Sequence, residues 1–170
     1  MNLNRLLTLG LLCAAPAGCI RQELSGPPEL RPGRDECAEC GMIINEERCS
    51  AALLVSRDGV KEHALFDDIG CLLDYAQERP DEVLEVFVHD HTTRAWLEAE
   101  RATFILADET KLKTPMGSGI AAFADPDAAE LAAREFSGRT LRHTDLAQAR
   151  KDWMRERFGS PDRPPAGGTR

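Results

Sequence analysis

The stretch CSAALLVSRDGVKEHALFDDIGCLLDYA, residues 49–76, decides the fold. Cys49 to Ser56 is an apolar run of strand length, and Asp58-Gly59 is a hairpin turn signal. Val60 to Phe66 returns as a second strand. Asp67 or Asp68 then caps a helix whose apolar residues Ile69, Leu72, Leu73 and Ala76 recur at helical spacing. Pro80 stops that helix, and Val83 to Val88 is again strand-like, which completes a ββαβ pattern.

The same order recurs downstream. Strands are predicted at Ala102 to Ala107 and at Gly119 to Phe123. Asp125-Pro126 opens a helix through about Phe136, with Gly138 behind it. Thr140 to Arg142 is a short returning strand, and Asp145 to Phe158 is a terminal helix. Residue identity between the halves is slight beyond Phe66-Asp67 and Phe123-Ala124-Asp125. The predicted class is α+β, with a first ββαβ unit at residues 35–98 and a second, with its terminal helix, at 99–158. Each is too small to bury much alone, so the two are expected to pack together.

The flanks differ in composition from this region. Arg5, the apolar run Leu6 to Ala15 and the small residues Ala17-Gly18 before Cys19 form a targeting segment, residues 1–18, too short to span a bilayer. The pattern resembles a bacterial lipoprotein signal, with Cys19 as the lipidated first residue of the mature chain. Pro16 departs from the apolar residue usual three places before that cysteine, and ordinary cleavage after Gly18 is the alternative. Residues 19–34, with Gly26-Pro27-Pro28 and Pro32-Gly33, are expected to form a flexible tether reaching about 50 Å. Residues 159–170 have similar composition and are expected to be a disordered tail. A net charge of −8 lacks the basic footprint of a nucleic-acid binder or of a polybasic lipid-binding patch.

The chemistry is concentrated in two sulfur-bearing segments, Cys37-Ala-Glu-Cys40-Gly-Met42 and Thr114-Pro-Met116-Gly-Ser-Gly119. Thiolate and thioether sulfurs together suit monovalent copper better than harder cations. C-x-x-C alone also fits a redox dithiol, a disulfide or half a zinc site. A thiol–disulfide oxidoreductase using Cys37 and Cys40 is the main alternative. It normally needs the motif at a helix N-terminus, and Gly41-Met42-Ile43-Ile44 opens no helix pattern. A zinc site of four cysteines is a third reading, although Cys49 and Cys71 lack paired spacing. Cys49 and Cys71 are expected to be buried and structural, with Cys49 alternatively a disulfide partner, and Asp67 and Asp68 to cap the helix. Among the imidazoles, His63 is placed in the ligand set. His89 and His91 flank Asp90 at the end of the third strand, and His143 is the least suited. No catalytic grouping appears.

These segments, with Phe66-Asp67-Asp68-Ile69-Gly70-Cys71, Val88-His89-Asp90 and Ile120-Ala-Ala-Phe123, resemble the NosL family of copper-binding accessory lipoproteins. The resemblance covers about Glu36 to Arg142. It implies a Cu(I) carrier on the periplasmic side of a bacterial membrane, anchored through Cys19, with the outer membrane expected. The implied partners are nitrous oxide reductase, whose copper–sulfide centre it would help load, and that enzyme's copper-loading membrane machinery. The expected ligands are Cys37, Cys40, Met42 and Met116, with His63 completing the set.

Overall fold

In a computed structural model of the chain, residues 23–159 are described. The targeting segment, Cys19 and almost all of the expected tail therefore lie outside the described residues. Strands β1 (Ala51–Arg57) and β2 (Val60–Phe66) pair antiparallel from Ala51↔Phe66 to Arg57↔Val60. Asp58 (φ 49°) and Gly59 (φ 77°) connect them with left-handed backbone at both positions, as a two-residue hairpin of matching twist requires. Helix α1 (Ile69–Glu78) follows, and β3 (Val83–His89) returns beside β1. A short strand β4 (Trp96–Glu98) then extends the sheet to the order β2-β1-β3-β4.

The second unit repeats this plan. β5 (Thr103–Leu106) pairs with β6 (Ile120–Phe123), helix α2 (Pro126–Glu135) crosses, and β7 (Arg139–Arg142) returns to the free side of β5. The order β6-β5-β7 is the same central-first-strand arrangement as β2-β1-β3. Helix α3 (His143–Phe158) closes the described chain. The expected α+β pair of ββαβ units is the architecture observed. β4 was not anticipated, because three residues are too few for periodicity to register.

Strand alternation sorts the side chains. Leu53 and Val55 of β1 and Ala64 and Phe66 of β2 join Ile69, Leu72 and Tyr75 of α1 in the main core. Phe104, Ile120, Ala122 and Leu141 from the second sheet, with Leu146 and Ala149 of α3, complete it. One shared core thus spans both units, as their small size demands. On the other face of β5 and β6, Ile105, Ala121 and Phe123 pack against Ala129, Ala132 and Ala133 of α2. Buried Asp90 joins the sheets: its Oδ2 accepts the Ala124 N–H at 2.6 Å, and the His91 N–H donates to the Ala122 carbonyl at 2.8 Å.

The stretch expected to be a free tether up to Arg34 is held in place from Glu23 onward. Glu23 pairs with Lys61 Nζ at 2.6 Å, the Gly26 carbonyl lies 2.7 Å from His63 Nε2, and the Gly33 N–H donates to the Ile44 carbonyl at 2.8 Å. Glu23 and Gly26 thus lie along the outer side of β2, the face that carries Lys61 and His63, while Leu30 further on packs against the main core. No described helix is long and apolar enough to cross a membrane.

Candidate metal centre

Cys37 to Met42 forms a closed turn. The Cys37 N–H donates to the Met42 carbonyl at 2.8 Å and the Gly41 N–H to the Cys37 carbonyl at 2.9 Å. A bridge between Glu36 and Ile43 closes its base. The Ala38 N–H donates to the Leu65 carbonyl at 2.8 Å, which pins the turn over the end of β2. There the chain leaves the strand as Asp67, takes Asp68 as the cap of α1, and presents Cys71 in the first helical turn. The result is a group of four: ligand atoms of Cys37, Cys40, Asp67 and Cys71 all lie within 4.8 Å of one another. All four described cysteines are free thiols. Cys37, Asp67 and Cys71 are buried, while Cys40 is half-buried at the mouth.

The thiols are electrostatically unequal. Cys37 is drawn down to about 4, above all by the Cys71 thiol donating to its sulfur; burial opposes this, and backbone N–H groups of Cys40 and Asp67 add to the lowering. Donating to Cys37 and burial drive the Cys71 thiol the other way, well upward. Cys40 is also raised, first by burial and then by its neighbours Cys37 and Asp67. Burial and the nearby Cys37 sulfur lift the Asp67 carboxyl to about 6. Cys40 Sγ lies 3.7 and 3.8 Å from the two Asp67 oxygens, within reach to donate to them. One sulfur is thus ready as a thiolate, and two hold protons that a soft cation would displace.

The second sulfur segment meets this group from the other unit. The Met116 N–H and the Thr114 hydroxyl donate to Asp68 Oδ2 at 2.9 and 2.7 Å. Gly70 and Ser118 touch so closely that a Cβ added to Gly70 would sit 2.7 Å from that of Ser118. The two distant segments therefore converge on the Asp67-Asp68 corner. Met42 and Met116 stand at the surface, 50% and 42% exposed, rather than filling the core.

His63 is not brought to this corner. It pairs across the sheet with Leu54, whose side chain belongs to the outer-face cluster, and its Nε2 contacts the Gly26 carbonyl. Strand parity places it on the face opposite Ala64 and Phe66, so the expected imidazole ligand is corrected. His89 is buried against Ser50 Oγ and stacked on Trp96, and His91 packs against Phe123. Cys49 is buried outside the group, its thiol pushed up to about 12 by desolvation, so four cysteines do not assemble a zinc site. Sequence reasoning missed Cys71 and Asp67 as members of the centre. Two adjacent acids where a helix needs one cap were the available signal, since Asp68 serves as the cap and Asp67 is left to face the neighbouring turn.

The NosL family model matches residues 30–150. The copper-binding lipoprotein NosL of Stutzerimonas stutzeri is 29% identical over 154 residues, covering 85% of this chain and 77% of its own. The crystal structure of the copper chaperone NosL from Shewanella denitrificans superposes with a TM-score of 0.60 at 24% identity, over 72% of this chain and 99% of its own, and shows the same fold. With that family match spanning both sheets and the sulfur-bearing corner between them, the chain belongs to the NosL family.

Proposed function

We propose that this protein is a Cu(I) metallochaperone rather than an enzyme, and that it delivers copper for assembly of the nitrous oxide reductase copper–sulfide centre. It would act on the periplasmic side, anchored at Cys19 in the outer membrane, and hand its cargo to the reductase and its membrane copper-loading machinery. The observation that carries this reading is the grouping of three thiols beside the loop of Met116. Soft sulfur donors favour Cu(I) over the hard cations that a carboxylate alone would attract. In this scheme the Cys37 thiolate receives the ion, and Cys40 and Cys71 release protons as their sulfurs bind. Met42 and Met116 supply exposed thioethers at the mouth, where a partner's ligands can replace them one at a time. Before the ion arrives, Asp67 accepts a hydrogen bond from the Cys40 thiol and holds it in place.

Anaerobic Cu(I) titration against a chromophoric chelator, with X-ray absorption to count sulfur neighbours, tests this. Cys40→Ser and Met116→Ala should each weaken binding, and His63→Ala should not. Unchanged affinity in both sulfur variants, or preferential retention of zinc on mild purification, would overturn the reading.

The depressed Cys37 is the feature that would also serve a dithiol oxidoreductase. Its sulfur-bearing side chain is buried, however, with the residue only 2% exposed, and its turn leads into no helix. Insulin reduction should therefore be absent in the parent and unaffected by Cys37→Ser.

A further inference from the structure

Asp68 is fully buried, and its two carboxylate oxygens serve different units. Oδ1 accepts the Gly70 N–H at 2.6 Å, capping the helix that carries Cys71. Oδ2 accepts the Thr114 hydroxyl and the Met116 N–H, both from the long hairpin loop of the second unit. Capping needs a single oxygen. Asp125, which occupies the same place ahead of α2, is exposed, and its carboxylate accepts only the Asp127 N–H, at 3.0 Å, among the described contacts. The bridge at Asp68 is therefore additional to its role as a cap.

The surroundings leave the joint little slack. A Cβ on Gly70 would lie 2.7 Å from Ser118 Cβ, 3.0 Å from Asp68 Oδ1 and 3.3 Å from Arg150 Cζ. Arg150 is itself fixed by two bonds to Asp74 of α1, at 3.0 and 2.7 Å. Helix, loop and α3 thus meet in contact around one carboxylate. We infer that Asp68 is a positioning residue of the metal centre: it registers the Met116 loop against the Cys71 helix so that thioether and thiols address one ion. This inference rests on the Cu(I) reading above.

Asp68→Asn tests it. The asparagine keeps the volume and one carbonyl oxygen for Gly70, but its amide group would then oppose the Met116 N–H, donor against donor. In the metal-free protein, the Met116 amide should exchange with solvent faster while the Gly70 amide stays protected, as followed by NMR. Cu(I) affinity should fall about tenfold, the scale seen when outer-shell partners of a metal site are lost. In a Met116→Ala background the same substitution should matter less than about twofold, because coupled residues are not additive. Unchanged affinity, or an equal fall in both backgrounds, overturns the inference. Thr114→Val removes one donor to Oδ2 without introducing a clash; it should shift both readouts the same way by less, and covers the case in which Asp68→Asn fails to fold. If the parent binds no Cu(I), the copper reading fails, and unaltered Met116 exchange would still refute the coupling by itself.

Discussion

The two ββαβ units share strand order, an aspartate cap and a ten-residue crossing helix, but they are furnished differently. Aligned on their caps Asp68 and Asp125, Asp67 of the first corresponds to Ala124 of the second, and Cys71 to Ala128. The first unit joins its opening strands with the two-residue turn Asp58-Gly59, whereas the second spans residues 107–119 with the loop that carries Met116. One copy of the scaffold places its chemistry at the helix N-terminus, and the other places it in the hairpin connection. Packing around a shared core then brings the two together at Asp68. A site divided in this way forms only when both units are folded and docked.

The largest expected effect removes chemistry from the furnished unit. Cys37→Ser should lower Cu(I) affinity by about 100-fold or more, since a ligand thiolate contributes several factors of ten. The reverse graft, Ala124→Asp with Ala128→Cys, should create no second tight site, because the second unit has no cysteine turn above its helix. Competition titration of the parent, the variant and the graft decides the matter. Two tight equivalents in the graft would show that the helix corner alone suffices.

Close packing should come next. Gly70→Ala places a methyl against Ser118, Asp68 and Arg150, so a loss of about 1–3 kcal/mol is expected from overpacking. Asp127→Ala, at the same step of α2, meets only solvent and should change stability by about 0.5 kcal/mol. Urea denaturation of both, at constant m, checks the contrast. Equal losses would mean that the two helix starts are packed alike after all.

Copper uptake should also depend on pH. Cys40 and Cys71 are both raised and give up protons when their sulfurs bind the ion. Affinity should climb with pH across the neutral range, by about tenfold per unit for each proton released. A flat profile between pH 6 and 8 would show that the bound sulfurs were already ionised. An Ala128→Cys thiol in the second unit, with no such partners, should leave the profile unchanged.

Much of this architecture was visible in the sequence, because alternation, caps and the Asp58-Gly59 turn are local signals. Val60 to Phe66 was placed to the residue, while helix α3 begins at His143 rather than Asp145. The sulfur segments were visible for the same reason, as compact motifs. Cys71 reads as core, which it joins, and Asp67 as a cap; their further part in the centre depends on a turn some thirty residues upstream folding over them. His63 is the opposite case: its position in the chain is near the site, but strand parity turns it to the other face. The Pro-rich stretch before Asp35 shows no periodicity, so its attachment to Lys61, His63 and Ile44 had no local signature.

The smallest effect is the response of the metal-free protein to acid, to which scaffold and site both contribute. Burial lowers the pKa of His89, His91 and His143 below the ordinary imidazole value. Between 6.5 and their depressed values the unfolded chain takes up protons that the folded chain refuses, so stability falls with pH across that window. Asp67 opposes this. Its folded pKa near 6 exceeds the unfolded value of 3.8, so proton uptake on this carboxyl favours the fold as pH drops between them. Metal-free protein should therefore melt a few degrees lower at pH 5.5 than at pH 7.5, by the usual scaling of melting temperature with stability. Asp67→Asn should deepen that loss, because it removes an opposing proton. It should also raise the melting temperature at pH 7.5, where the parent holds a buried carboxylate beside a thiolate. If the variant instead shows a shallower acid loss than the parent, Asp67 is not the group that takes up the proton.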